Sequence, residues 1–328
     1  MISTEKIVWV VADQYVGNLN QCLGVAEALG LPYQIKRVNY NLFGRLPNVI
    51  LGATLVHVPR ADRLPLGPPW PDVVIAAGRR TVPVARAIKK ASLRRSFLVQ
   101  TMWPGYPAGD LDLIATPRHD RVADRTNLIR TIGAPHNVSS KRLDEAAKIW
   151  ESRLGHIKRP RVALLVGGST RRHRFTTQMA KLLGQQVSEL VESLGGGLML
   201  STSRRTEPIV RETLIDNIKT TKEIFVWCSE SSENPYLAYL ALSDTVVVTG
   251  DSTSMCTEAS ATGRPIFIFA PPGSTAEKHQ RLHEFLYEYG CAMPLTSQMF
   301  GKAIESENYI PINDAVLIAQ EIHRRIGS

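Results

Sequence analysis

The chain reads as an α/β protein built from two doubly wound, Rossmann-like domains facing a cleft. Three observations predict this. β-branched apolar runs that end in small or polar loops recur in both halves, KIVWVVA at 6–12 and VALLVGG at 162–168. Such runs are the mark of strands buried on both faces of a parallel sheet. Helical stretches alternate with these runs, and that alternation gives a parallel sheet flanked by helices. The length of 328 residues suits two domains of about 150 residues. Lys158-Arg159-Pro160-Arg161 breaks the pattern and reads as the hinge. Residues 1–157 then form an N-terminal domain and residues 158–312 a C-terminal domain. A last helix at 313–328 crosses back to the first.

Hydrophobic residues make up 44% and charged residues 21%, an ordinary composition for a globular protein in water. No window reaches the 18 or so uncharged apolar residues of a membrane span. The N-terminus carries Glu5 and runs straight into a strand, without the basic start and small-residue cleavage site of a signal peptide. Cys22, Cys228, Cys256 and Cys291 are widely spaced, with no CxxC. A cytoplasmic protein without a disulfide framework or zinc site is therefore expected. The net charge of +9 is uneven: residues 1–158 hold 22 Lys/Arg against 12 Asp/Glu, and residues 159–328 hold 17 against 18. A basic half can meet an anionic inner-membrane surface or a lipid-linked acceptor. It can equally be a solvated surface, since its charges are dispersed. Nucleic acid is not expected, because no recognition motif and no aromatic–basic interleaving is present.

In the first half, strands are predicted near 6–12, 33–38, 72–76, 97–100 and 113–115, with a helix from about Asn20 to Leu29. The loop Asp13-Gln14-Tyr15-Val16-Gly17-Asn18 closes the first strand. It is not GxGxxG, so a dinucleotide fingerprint is absent. Gln14, Gly17, Asn18 and Gln21 suit an acceptor-facing loop, although Asn18 or Asn20 also suits a helix N-cap. Arg79, at the end of the third strand, can meet an anionic ligand or simply be solvated. Asp13 and His119 lie after strands, where either can take a proton from an acceptor hydroxyl. Asp110-Leu111-Asp112 precedes its strand, on the wrong edge for a ligand site, so no metal is expected there. His279 and His283 are spaced i, i+4, but HQRLH lacks the glutamate of HExxH and reads as two surface histidines.

The second half is organised around residues 244–272, which read as strand, tight loop, helix, strand. Gly250-Asp251-Ser252-Thr253-Ser254 is a cluster of turn and cap formers just past a buried strand. Ligands of open α/β sheets bind at that place. Free N–H groups of Thr253, Ser254 and Met255 can hold a diphosphate there, and Glu258, one turn deeper, can accept ribose hydroxyls. Any α/β crossover has a similar outline, and the residues alone leave both readings open. Gly167-Gly168-Ser169 and Ser203-Arg204-Arg205 are further loops at strand ends. Glycine lets backbone approach a phosphate, and arginine supplies charge for a diphosphate leaving group without a metal.

The order small-residue loop, Ser/Thr-rich helix start, Glu258, Gly263-Arg264-Pro265, apolar strand resembles the donor site of GT-B glycosyltransferases, which implies that residues 158–312 are the nucleotide-sugar donor domain and residues 1–157 the acceptor-side domain. In the branch that makes the peptidoglycan lipid intermediate, the resemblance implies that Glu258 holds the nucleotide ribose. Asp13-Gln14, Gly17-Asn18, Asn20-Gln21, Gly24, Ala26-Glu27-Ala28-Leu29, Val166-Gly167-Gly168-Ser169, Ser201 to Thr206, Asn234-Pro235-Tyr236 and Thr249 to Ser252 span most of the chain. In them it resembles bacterial relatives of the plant mitochondrial-fission, or elongated-mitochondria, family. Those relatives are often labelled nucleoside-diphosphate-sugar epimerases. A short-chain epimerase would need a glycine fingerprint and Tyr-x-x-x-Lys, and the latter occurs nowhere in the chain. The expectation is a metal-independent transferase using a nucleotide-diphosphate sugar as donor, with no cofactor. The alternative is a non-catalytic, peripheral membrane or division-associated scaffold that keeps the nucleotide-binding fold.

Overall fold

The computed structural model describes residues 6–228, 233–305 and 309–327. Contacts divide the chain into two compact units, residues 1–137 with 313–328, and residues 138–312.

In the first unit the chain runs through β1 (Val8–Ala12), α1 (Val16–Leu29), β2 (Tyr33–Arg37), α2 (Asn48–Leu51), α3 (Arg60–Arg63), β3 (Val73–Ala77), α4 (Val82–Ala91), β4 (Phe97–Thr101), β5 (Leu113–Pro117) and β6 (Leu128–Thr131). All six strands are parallel, in the order β2-β1-β3-β4-β5-β6. Every residue of β1, β3 and β5 is buried. Their side chains alternate between two cores, as a strand covered on both faces requires. Val8, Val10, Val73, Ile75 and Val99 pack on one face with Cys22, Val25 and Leu29 of α1. Trp9, Val11, Val74 and Leu98 pack on the other with Val84 and Ile88 of α4.

The second unit contains α5 (Ser140–Leu154), β7 (Arg161–Val166), α6 (Thr177–Leu194), β8 (Gly197–Thr202), α7 (Pro208–Asp216), β9 (Lys222–Phe225), α8 (Tyr236–Leu242), β10 (Thr245–Thr249), α9 (Thr253–Ser260), β11 (Ile266–Phe269), α10 (Glu277–Glu288), β12 (Ala292–Pro294) and α11 (Ser297–Glu305). Its sheet is again six-stranded and parallel, in the order β12-β11-β10-β7-β8-β9. α12 (Asp314–Ile326) ends the chain and belongs to the first unit. It packs on α1 and β6. Ala315, Ile318, Ala319 and Ile322 join the α1-side core, with Ile326 partly buried beside them. Its carboxylate N-terminus is fastened too, since Asp314 accepts from Ile132 N at 3.1 Å and Gly133 N at 2.8 Å.

Several details differ from the sequence reading. The units divide at 137/138, one helix before the hinge read at 158–161, because α5 packs on α8 of the second unit. β6 is an additional edge strand, four residues long with three of them half-exposed, too short to show as a buried apolar run. α1 begins at Val16, so Gly17, Asn18, Asn20 and Gln21 are inside it and neither asparagine is its cap. Asp110 is paired with Arg86 and Asp112 with Lys89, so both acids of the DxD motif hold α4 to the sheet. His283 is buried rather than on the surface, with its Nε2 2.9 Å from Gly250 O.

Candidate functional site

In a doubly wound sheet, the strand order reverses direction at one point, and the loops there splay apart to leave a crevice. In the second unit that point lies between β7 and β10: β8 and β9 follow on one side, β11 and β12 on the other. Three of the loops singled out above leave neighbouring strands at this edge, after β7, β8 and β10.

They are knitted together by short-range bonds. Gly167 N donates to Thr249 Oγ1 at 2.8 Å and Gly168 N to Asp251 Oδ2 at 3.0 Å. Ser169 N donates to Arg205 O at 3.3 Å, and Thr206 Oγ1 donates to Gly167 O at 2.7 Å. Ser203 Oγ also donates to Gly167 O. Arg205 Nη1 meets Asp251 Oδ2 at 2.6 Å and Gly168 O at 3.2 Å. A Cβ on Gly167 would stand 2.3 Å from Asp251 Oδ2, and one on Gly168 only 2.2 Å from Arg205 O, at a φ of 142°. Glycine is required here because the loops approach each other. The two glycine N–H groups are already bonded, to Thr249 Oγ1 and Asp251 Oδ2.

The donors that stay open belong to α9. Ser252 caps the helix and takes the Met255 N–H at 3.4 Å, which removes that residue from the expected set. Among the described residues, no acceptor takes the N–H of Thr253 or Ser254. Arg205 and Asp251 neutralise one another. Arg204, Arg171 and Arg172 are exposed and form no ion pair among the described residues. The sequence reading missed the two arginines of the β7 loop. The signal was present, a Gly-Gly-Ser followed by Arg171, Arg172 and Arg174.

Glu258 lies on α9, half-buried, and accepts a hydrogen bond from Tyr236 Oη at 2.5 Å. Burial raises its carboxyl to about 7, against the smaller opposing effect of the Tyr236 bond. Burial and the neighbouring carboxylate push the Tyr236 phenol well above its ordinary value. Tyr236, in the Asn-Pro-Tyr start of α8, is thus a site residue that sequence reading did not assign. His283 is another: it holds Gly250 O, and a Cβ on Gly250 would come within 2.5 Å of its ring.

In the first unit the order reverses between β1 and β3. Asp13 is buried there, and both its oxygens are taken. Oδ1 accepts from Tyr15 N at 3.0 Å, and Asn18 Nδ2 reaches Oδ1 at 3.2 Å and Oδ2 at 3.0 Å. Asn18 also lies against Gly78. Gln14 and Gly17 are exposed, and Gln21 is buried with its Nε2 3.7 Å from Met102 Sδ. The Arg79 guanidinium donates to Leu46 O at 2.7 Å and Gly44 O at 3.0 Å, so it staples the 42–48 segment instead of reaching outward. His119 is buried, with Nε2 3.8 Å from Asp120 Oδ1. Among the described residues no three His, Cys, Asp or Glu side chains gather as a metal cage.

The architecture is the GT-B fold, seen also in solved glycosyltransferases and UDP-GlcNAc 2-epimerases. The UDP-GlcNAc 2-epimerase of Methanocaldococcus jannaschii superposes with a TM-score of 0.60 at 12% identity, over 98% of this chain and 99% of that one. MurG of Acinetobacter baumannii gives 0.53 at 13%, over 97% and 99%. The Neisseria meningitidis UDP-GlcNAc 2-epimerase, solved bound to UDP-GlcNAc, gives 0.51 at 14%, over 98% and 100%. Identities this low establish the fold alone. The chain belongs to the mitochondrial fission ELM1 family, whose sequence model matches residues 16–326. It is 29% identical over 356 residues to an uncharacterized protein of Rickettsia prowazekii, covering 96% of this chain and 97% of that one. It is 26% identical over 280 residues to the mitochondrial fission protein ELM1 of Arabidopsis thaliana. That match spans 79% of this chain and 64% of the plant protein.

Proposed function

We propose that the second unit binds a nucleotide-diphosphate sugar at its β7/β10 edge and that the chain transfers the sugar to an acceptor without a metal. The observation that carries this reading is the pairing, on one eight-residue helix, of open N-terminal N–H groups with a half-buried carboxylate at Glu258. The Thr253 and Ser254 N–H groups suit a diphosphate, aided by the helix dipole. Glu258 suits the two ribose hydroxyls. Arg204, Arg171 and Arg172 would carry the charge that develops as the nucleoside diphosphate leaves. Neighbours of the same fold that are named for UDP or UDP-GlcNAc support a uridine nucleotide as the first candidate.

Transfer also needs a base on the acceptor hydroxyl, for which Asp13 and His119 are the candidates of the first unit. One observation favours a second reading, binding without turnover: both Asp13 oxygens are already engaged locally. A thermal-shift screen of uridine, guanosine, adenosine and cytidine diphosphates, with chelator present, tests the donor site. Stabilisation by at least one is expected, and silence from all four ends the reading. Release of nucleoside diphosphate from the matching sugar nucleotide then separates transfer from binding alone.

A further inference from the structure

β2 forms one edge of the sheet in the first unit. Tyr33, Gln34, Ile35 and Arg37 are exposed there and Lys36 is half-buried, although every residue of the neighbouring β1 is buried. At the opposite edge α12 packs on β6, whereas no helix among the described residues packs closely on β2. A strand in this position presents a row of backbone groups to whatever can pair with it.

The ladder shows which groups those are. Val8 N donates to Pro32 O at 3.0 Å at one end of the β1–β2 pair, and Val38 N donates to Ala12 O at 2.9 Å at the other. Backbone direction alternates along a pleated strand, so Gln34 and Lys36 also turn their N–H and C=O groups toward β1. Tyr33, Ile35 and Arg37 turn theirs outward. Outside the ladder, no acceptor among the described residues takes these three N–H groups. The register sets Tyr33 beside Val8 and Ile35 beside Val10, on the sheet face that α1 covers further in. Here the two side chains remain 38% and 40% exposed. Natural edges are often blunted by a lysine that projects from them. Lys36 instead lies back on the sheet, its Nζ 4.3 Å from the centroid of the Trp9 ring.

We propose that a second copy of this chain pairs with this edge, β2 against β2, antiparallel about a two-fold axis at Ile35. Ile35 then stands opposite its own copy, Tyr33 opposite Arg37, and Gln34 opposite Lys36. The outward groups of Tyr33, Ile35 and Arg37 meet in pairs that exchange both backbone bonds. An apolar pair lies at the centre, a ring faces a guanidinium on either side of it, and no two cations are opposed. An axis at Lys36 would set lysine against lysine. An axis at Gln34 would leave Arg37 opposite Leu31, which lies outside the strand. The strand is thus complementary to itself about Ile35, as a two-fold contact between identical chains requires. One pair of short strands covers less than a standard interface, so the association is concentration-dependent. The inference concerns the first unit and stands apart from the donor site proposed for the second.

Sedimentation equilibrium over a range of concentrations tests it, and the wild-type chain is expected to pass from monomer to dimer as concentration rises. Ile35→Lys opposes two cations on the axis and should weaken the dimer several-fold, with an unchanged melting curve because the side chain is exposed. Cys228 is exposed, so cross-linking uses a Cys228→Ser background. There Ile35→Cys should give a disulfide-linked dimer on mild oxidation, since facing residues of such a pair stand about 5.5 Å apart at Cα. Arg37→Cys should not, because its copy lies about 14 Å away in this register. Hydrogen exchange needs no variant: the amides of Tyr33, Ile35 and Arg37 should gain protection with concentration, while those of Gln34 and Lys36 are protected throughout. A chain that stays monomeric, a dimer indifferent to Ile35→Lys, or equal cross-linking through the two cysteine positions overturns the proposal.

Discussion

At the scale of single residues, the decisive group is Glu258. A carboxylate accepts two hydroxyls only when ionised, and its proton is held until about pH 7. Nucleotide affinity should therefore rise as pH passes through 7, and Glu258→Gln should lose that part of the pH dependence. Folding stability moves oppositely. A carboxyl raised above its unfolded value stabilises the fold while protonated, and that contribution is lost as pH rises through about 7. Melting temperatures at pH 6 and pH 8, compared with those of Glu258→Gln, check the sign. Tyr236→Phe removes the one bond that favours the ionised form, so the midpoint of the affinity profile should move to higher pH. The Tyr236–Glu258 pair was illegible in the sequence because its members lie on different helices. A hydrogen bond between them depends on how α8 and α9 pack, which no local pattern encodes. The place of Glu258 on its helix was legible, since strand, cap and helix spacing fix it.

At the scale of elements, strands covered on both faces declared themselves as apolar runs, and both sheets were readable for that reason. β6 was not, because an edge strand with half-exposed Leu128, Ile129 and Arg130 lacks the run. The start of α1 was hidden by its cap: Tyr15 precedes the helix without a capping side chain, and Asp13, two residues earlier, takes its N–H. The loops after β7, β8 and β10 were each visible, whereas their mutual bonding was not. Gly168→Ala tests that bonding. Its Cβ collides with Arg205 O, and its φ is unfavourable for any side chain, so a loss of roughly 3 kcal/mol or more is expected by denaturant titration. Asp251→Asn should be milder in stability but should free Arg205 from its partner.

At the scale of the whole molecule, the last helix closes the first unit and not the second. The sequence suggested this through an apolar stripe after a polar connector, and the α12 core contacts give it a physical basis. Ile322 is fully buried against the α1-side core. Ile322→Ala should cost about 2–5 kcal/mol, read as a lower midpoint in chemical denaturation. Truncation before Asn313 would uncover α1 and leave Ile132 N and Gly133 N without their Asp314 acceptor. That loss should appear as faster hydrogen exchange in α1 and β6, with β7 and β10 of the second unit unchanged.

A calorimetric titration of UDP into the wild-type chain and into Glu258→Gln at pH 8 tests the proposed nucleotide-diphosphate site at the β7/β10 edge and α9. Two hydrogen bonds from ribose to a charged acceptor predict at least about a tenfold weaker affinity in the variant, with an unchanged melting profile as evidence of an intact fold. Equal affinity in the two proteins, or no heat from UDP or any other nucleoside diphosphate in the wild type, would contradict it.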